Sequence, residues 1–323
     1  MDKKTNIRTP DLSVVIPIYN EQDSLFELHN RLKHTLENLK VSWEILLVND
    51  GSKDRSIEII RILSQRDERI KYLHFNRNFG HQIAVAAGLD HAQGKAIVIM
   101  DGDLQDPPEL IPKLYAAHRS GHDIVGARRK MRKGETAFKT STARLFYRLL
   151  NQITSVDIPL DTGDFRLISR RVVNTLRQMP EKTKFFRGQI AWTGFPSTEV
   201  LFDRDERKYG KTGYPLWKMM RFAMDGVTGF STAPLRLVTQ MGFLFSFLSF
   251  LIILYAGYSH FILERTIAGW TSIVVSTMFI GGVQLISIGI LGNYLSRIHR
   301  NVQGRPLYVI TEQSERFVLN SEF

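Results

Sequence analysis

Residues 96–108 read AIVIMDGDLQDPP, an apolar run that ends on two carboxylates, Asp101 and Asp103, with one glycine between them. The run has the length of a buried strand, and the Gly, Asp and Pro that follow close it as a turn. Carboxylates this close repel one another, so the pair is costly unless a cation sits between them. Hard divalent cations such as Mg²⁺ and Mn²⁺ take oxygen ligands, often one or two carboxylates completed by substrate phosphates. Asp101 and Asp103 are therefore candidate metal ligands, with Gln105 as a neutral oxygen beside them. The competing reading is an acidic turn in which Asp106, ahead of Pro107 and Pro108, caps the next helix.

Outward from this stretch the same pattern repeats. Strands are expected at 12–18, 43–49, 70–75, 96–100 and 123–127, with helices at 22–39, 54–66, 80–92 and 108–120 between them. Such alternation, with strands that are continuous apolar runs, specifies an α/β fold: a mostly parallel, Rossmann-like sheet with helices on both faces. Ligands on such sheets bind beyond the carboxyl ends of the strands. That places YNE (19–21), DGS (50–52), RNFG (77–80) and DGDLQDPP (101–108) along one rim. Two glycine-loop readings fail. GLDHAQGK at 88–95 has its glycines spaced one residue too far apart and Ala96 where Ser or Thr is needed, and PIYNEQDS after the first strand carries no dinucleotide signature.

After residue 128 the alternation stops. A basic segment, ARRKMRKGE, leads to an expected helix near 137–152, then to DIPLDTGDFRLISRR (157–171), which reads as irregular. RDERKYGKTGYPL (204–216) and the amphipathic LWKMMRFAMDGVTGF follow, the latter expected to lie in a membrane interface or to pack on the sheet. Two uncharged runs come next: 237–263, apart from His260, and 266–296. Each is long enough to cross roughly 30 Å of hydrocarbon as a helix. Arg236 precedes the first, Arg297, His299, Arg300 and Arg305 follow the second, and the connector offers Glu264 and Arg265, so both outer ends are expected on the cytoplasmic side. The opening residues MDKKTNIRTPDLS contain no apolar leader, so the large N-terminal part is expected to stay where it is made.

The organisation expected is thus a cytoplasmic α/β domain (1–210), a loop and interface helix (211–235), a two-helix transmembrane hairpin (236–300) and a cytoplasmic tail (301–323). The net charge of +11 over 323 residues suits anionic lipid or phosphate ligands. Nucleic acid is disfavoured, because no recognition motif accompanies the basic residues. With no cysteine in the chain, thiol catalysis, disulfides and Cys-based zinc sites are excluded. GGVQLISIGILG, in the second apolar run, has small residues suited to close helix contact and points to a homo-oligomer.

VVIPIYNE, VNDGSKDRS, RNFG, DGDLQDPPE and TGDFRLISR, in this order and followed by two apolar spans, resemble the family 2 glycosyltransferases of the GT-A fold. Within these the chain is similar to dolichyl-phosphate mannose synthases and, more closely, to bacterial polyisoprenyl-phosphate (bactoprenol) glucosyltransferases. The resemblance implies that Tyr19, Asn20 and Glu21 cup the nucleotide base and ribose, that Asp50 contacts base or ribose, and that Arg77 and Gly80 close over the nucleotide. It implies that Asp101 and Asp103 bridge the diphosphate through metal, that Asp164 lies close to the reacting centre, and that Arg207 sits on a mobile acceptor loop. Many relatives read G-x-[ST]-K at that loop; here Gly213 stands in the lysine's place, leaving Lys211 and Lys208 as the nearest cations.

The chemistry fits independently. A lipid phosphate is anionic at neutral pH and attacks an anomeric carbon without a strong base, provided cations hold its charge. Arg128, Arg129 and Arg207 are the candidates, since guanidinium grips phosphate in bidentate fashion. Asp164 either orients the sugar, acts as a base, or is a structural partner of Arg166. The expected activity is inverting transfer of one sugar, glucose from UDP-glucose, to polyprenyl phosphate in the bacterial-type cytoplasmic membrane. GDP-mannose as donor remains open, as do a processive polysaccharide synthase, whose Q-x-x-R-W motif QIAWTG (189–194) matches only in part, and a non-catalytic scaffold.

Overall fold

The computed structural model describes residues 9–129, 162–202, 233–261 and 269–314. These form two compact units: 9–129, 162–202 and 305–314 in one, 233–261 and 269–304 in the other.

The first unit is an α/β sheet. Its elements begin β1 (Leu12–Ile18), α1 (Leu25–Asn38), β2 (Trp43–Asn49), α2 (Ser56–Arg66), β3 (Ile70–Phe75), α3 (His81–His91) and β4 (Ala96–Ile99). A 3-10 turn (Pro108–Leu110), α4 (Ile111–Arg119), β5 (Ile124–Arg129), β6 (Thr162–Ser169), α5 (Arg170–Arg177), α6 (Phe186–Trp192) and β7 (Ser197–Phe202) follow. After the second unit the chain returns as β8 (Ile310–Gln313). The strands lie in the order β7-β5-β6-β4-β1-β2-β3-β8.

β1 and β2 are buried along their whole length, as continuous apolar strands must be when helices cover both faces. The period-2 alternation of strands sorts their side chains into two cores. Leu12, Val14, Ile16 and Ile18 pack with Leu25, Leu28, Leu32 and Leu36 of α1 on one face. Val15, Leu46 and Val48 pack with Ala84, Val85 and Ala87 of α3 and Val172 of α5 on the other. Gly88 lets α3 sit close: a Cβ there would lie 2.2 Å from Val15 Cγ1.

One expectation needs correcting. Residues 162–169, read as part of an irregular segment, form β6, which runs antiparallel between β4 and β5; β8 is also antiparallel, on β3. The sheet is therefore mixed, with its parallel run confined to β4-β1-β2-β3 and the β5-β7 pair. The segment escaped notice because it alternates Asp164 and Arg166 with Phe165 and Leu167, and two charges in eight residues mask a strand whose polar positions share one face.

The second unit consists of α7 (Ala233–Phe261) and α8 (Trp270–Val302), which touch through the edge-to-face rings of Phe245 and Phe279, 5.3 Å apart. Within α8, Phe279–Val302 is long and apolar enough to cross a membrane, and none of it is buried. The expected helix near 137–152, the interface helix within 211–235 and Arg207 lie outside the described residues.

Candidate active site

Four of the sequence clusters meet where expected, beyond the carboxyl ends of the parallel strands. At the end of β1, Asn20 adopts φ +56, a conformation asparagine tolerates better than most residues. Its N–H donates to Ser52 Oγ at 3.0 Å and its Oδ1 accepts from Lys53 N at 2.8 Å, tying YNE to DGS. Glu21 N donates to Ser56 Oγ at 3.0 Å. Tyr19 presents an exposed ring on the same rim.

Asp50 is buried, and its carboxylate accepts from Phe79 N at 2.7 Å and Gly80 N at 2.9 Å. It thus holds the RNFG loop against the end of β2. Burial pushes its pKa up, and the two N–H donors pull against that. Gly51 (φ +64) completes the joint: a Cβ there would stand 2.3 Å from the Arg77 carbonyl carbon. The Arg77 guanidinium stacks on Phe79, 4.0 Å from the ring centroid, and Gly80 (φ +106) starts α3.

At the end of β4, Asp101 and Asp103 are half-buried. Gly102 packs so tightly that a Cβ would lie 2.6 Å from Ile18 Cδ1, so the glycine lets the acidic turn settle on the sheet. Asp103 Oδ1 accepts from Gln105 N at 3.1 Å, and Leu104 between them takes φ +61. Asp106 is buried and accepts from Asp101 N at 3.4 Å, bracing the turn, while Pro107 occupies the cap position ahead of the 3-10 turn. Among the described residues no cage of three or more acidic, histidine or cysteine ligands gathers. Two carboxylates on an open rim nevertheless fit Mg²⁺ or Mn²⁺, which draws its remaining ligands from phosphate and water.

The antiparallel β6 brings the last acid to this rim. Its register pairs Ile99 with Arg166, so Asp164, two residues earlier, comes level with Asp101, two residues later. Around Asp164 stand donors from three elements. Arg187 Nε of α6 is 2.8 Å from Oδ1; His81 Nε2 and Gln82 Nε2 of α3 are each 3.4 Å from Oδ2. Arg166 lies 4.0 Å away and donates to Gly163 O at 2.8 Å. His81 Nε2 also faces Asp101 Oδ1 at 3.7 Å, bridging the two acids.

Desolvation works against the imidazolium, yet the Asp164 hydrogen bond and the charge of Asp101 push His81 up to about 9. Desolvation likewise opposes the Asp164 anion, but His81, Arg187 and Arg166 hold it well below the usual carboxylate range. Burial pushes Arg166 down to about 10, with Asp164 opposing. At neutral pH this cluster is an anion enclosed by cations, suited to fixing geometry and poorly suited to taking up a proton.

β5 runs in the same direction as β4, so Arg128 and Arg129 end on this rim, Arg128 opposite Thr162. Arg128 NH1 is 3.0 Å from Glu199 Oε2 on β7.

Residues 13–177 match the family model of glycosyl transferase family 2. The chain belongs to this family. As a family 2 transferase it is 48% identical over 298 residues to the uncharacterized glycosyltransferase YkcC of Bacillus subtilis (strain 168), covering 92% of each chain. It is 39% identical over 299 residues to the SfII prophage-derived bactoprenol glucosyl transferase of Shigella flexneri, covering 93% of this chain and 97% of that one. Glucosyl-3-phosphoglycerate synthase from Mycobacterium tuberculosis, a solved structure, superposes with a TM-score of 0.47 at 15% identity, over 68% of this chain and 78% of that one.

Three residues of the site were not singled out from the sequence of this family 2 member: His81, Gln82 and Arg187. The first two follow directly on RNFG, so their place at the start of a rim helix was a usable signal. Arg187 had none, since it meets Asp164 only through folding.

Proposed function

We propose that this transferase moves a single glucose from UDP-glucose to polyprenyl phosphate, with inversion, at the cytoplasmic face of the membrane. The observation that carries the reading is the juxtaposition of Asp101 with the cation-ringed Asp164 on one rim. A relative named as a bactoprenol glucosyl transferase supports the acceptor class.

The acceptor phosphate is already an anion, so it needs orientation more than deprotonation. Its oxygen bonds to the anomeric carbon as the bond from that carbon to the diphosphate oxygen breaks, from opposite faces, and UDP departs. Asp164, with donors on both oxygens, stays ionised and orients the sugar. Asp101 and Asp103, with Gln105 beside them, would hold Mg²⁺ or Mn²⁺, whose chemistry there is to offset the charge growing on the departing diphosphate. Tyr19, Asn20, Glu21, Asp50, Arg77 and Gly80 form the nucleotide side of the rim; Arg128 and Arg129, with Arg207, receive the acceptor phosphate. α7 and α8 act as a transmembrane hairpin that keeps the enzyme with a substrate that cannot leave the bilayer.

Full-length protein in detergent, given polyprenyl phosphate, labelled UDP-glucose and Mg²⁺ or Mn²⁺, is expected to yield a lipid carrying one hexose by mass spectrometry, and EDTA to stop it. Preference for GDP-mannose, a polymer product, or no transfer at all would overturn the reading. A reporter fused after Phe323 is expected on the cytoplasmic side.

A further inference from the structure

Gln82 has a place in the site that its sequence neighbours do not explain. Its Oε1 accepts from Phe186 N at 3.1 Å, and its Nε2 faces Asp164 Oδ2 at 3.4 Å. The orientation of the amide is unambiguous on chemical grounds, because a backbone N–H can only donate and an ionised carboxylate can only accept. Phe186 is the first residue of α6, whose opening N–H groups have no partner within the helix, and the residue before it provides no side-chain cap. Gln82 therefore caps α6 from α3. The next residue, Arg187, donates 2.8 Å to the other oxygen of Asp164. One amide thus joins α3, β6 and α6 into a closed ring: Gln82 to Phe186, along the backbone to Arg187, to Asp164 and back to Gln82.

We propose that Gln82 is a positioning residue for the transfer reaction: it sets Asp164 and the Arg187-bearing start of α6 relative to each other without touching the reacting atoms. This rests on the reading that Asp164 stands at the reacting centre. The role needs both halves of the amide. Alanine removes both. Glutamate keeps the acceptor for Phe186 N but puts a second anion against Asp164, and regains a donor only when protonated.

Two measurements on the full-length protein test this. In hydrogen exchange, Gln82→Ala is expected to speed exchange at the Phe186 amide while β1 and β2 stay protected; unchanged exchange there overturns the capping half, whatever the enzyme's activity. In transfer kinetics, Gln82→Ala is expected to lower kcat by about tenfold, the scale of one hydrogen bond, with donor KM within about twofold. Gln82→Glu is expected to lose activity at neutral pH and to recover relative to the parent enzyme as pH falls and the introduced carboxyl takes up a proton. A Gln82→Glu profile parallel to the parent's, or a Gln82→Ala defect confined to KM, overturns the positioning role. Failure of the parent enzyme itself to glucosylate polyprenyl phosphate overturns the functional reading instead, and leaves the exchange experiment to judge Gln82.

Discussion

The parallel and antiparallel parts of the sheet build the two halves of the site in different ways. On the parallel side, β1, β2, β3 and β4 end on short contiguous motifs whose contacts are mostly made by backbone: Asn20 to Lys53 N, Asp50 to Phe79 N and Gly80 N, Asp103 to Gln105 N. On the antiparallel side, β6 delivers one acid whose surroundings are side chains from α3 and α6. The first arrangement ties neighbouring motifs together through the backbone and, on the proposed function, cradles the nucleotide sugar. The second gives a small charged cluster whose geometry depends on three elements being docked together. Binding is expected to reside in the former and the rate of the chemical step in the latter.

The sharpest way to break this division lies at the seam between the halves. Asp103→Ala is expected to lower transfer by about a thousandfold or more and to remove metal-dependent donor binding, followed by calorimetry with nucleotide sugar and Mn²⁺. Undiminished turnover would dismiss the paired acids as a metal site. Next in size, Arg187→Gln removes a charge-assisted bond to Asp164 and is expected to cut kcat by about ten- to a hundredfold while sparing donor KM. Loss of donor affinity instead would erase the contrast between the two halves. On the parallel side, Gly51→Ala meets both a left-handed φ of +64 and the Arg77 backbone, and is expected to destabilise the unit by about 1–3 kcal/mol and to raise donor KM. Thermal melting and initial rates would read the two effects.

The smallest effect concerns the far edge, where β8 joins β3. Arg61 and Tyr72 both bond Glu312, and the Arg61 hydrogen bond, ahead of that from Tyr72, holds its pKa down to about 2 against an ordinary 4.5. A carboxylate depressed in the folded state stabilises it fully above its unfolded pKa and ceases to do so as pH falls through the folded value. Protection of β8 amides is therefore expected to weaken between about pH 4.5 and about pH 2, and Glu312→Gln to flatten that dependence in hydrogen exchange.

The strands from β1 to β5 and the helices between them lie within a few residues of where the periodicity of the sequence puts them, and the acidic turn sits on the rim beside YNE, DGS and RNFG. β6, β7 and β8 were not visible in the same way. β6 carries two charges among its eight residues, β7 is an edge strand with alternate exposed positions, and β8 is four residues long. Short or half-polar strands are stabilised by their neighbours more than by their own composition.

The amino-acid sequence alone was enough to determine the buried parallel strands, the carboxylate pair and the order of the rim motifs, because each rests on the chemistry of residues within a few positions of one another. Only the tertiary structure decided what surrounds Asp164. His81 and Gln82 approach it from 83 and 82 residues upstream and Arg187 from 23 downstream, and no local pattern encodes a distance that exists only after β6 has entered the sheet antiparallel to β4.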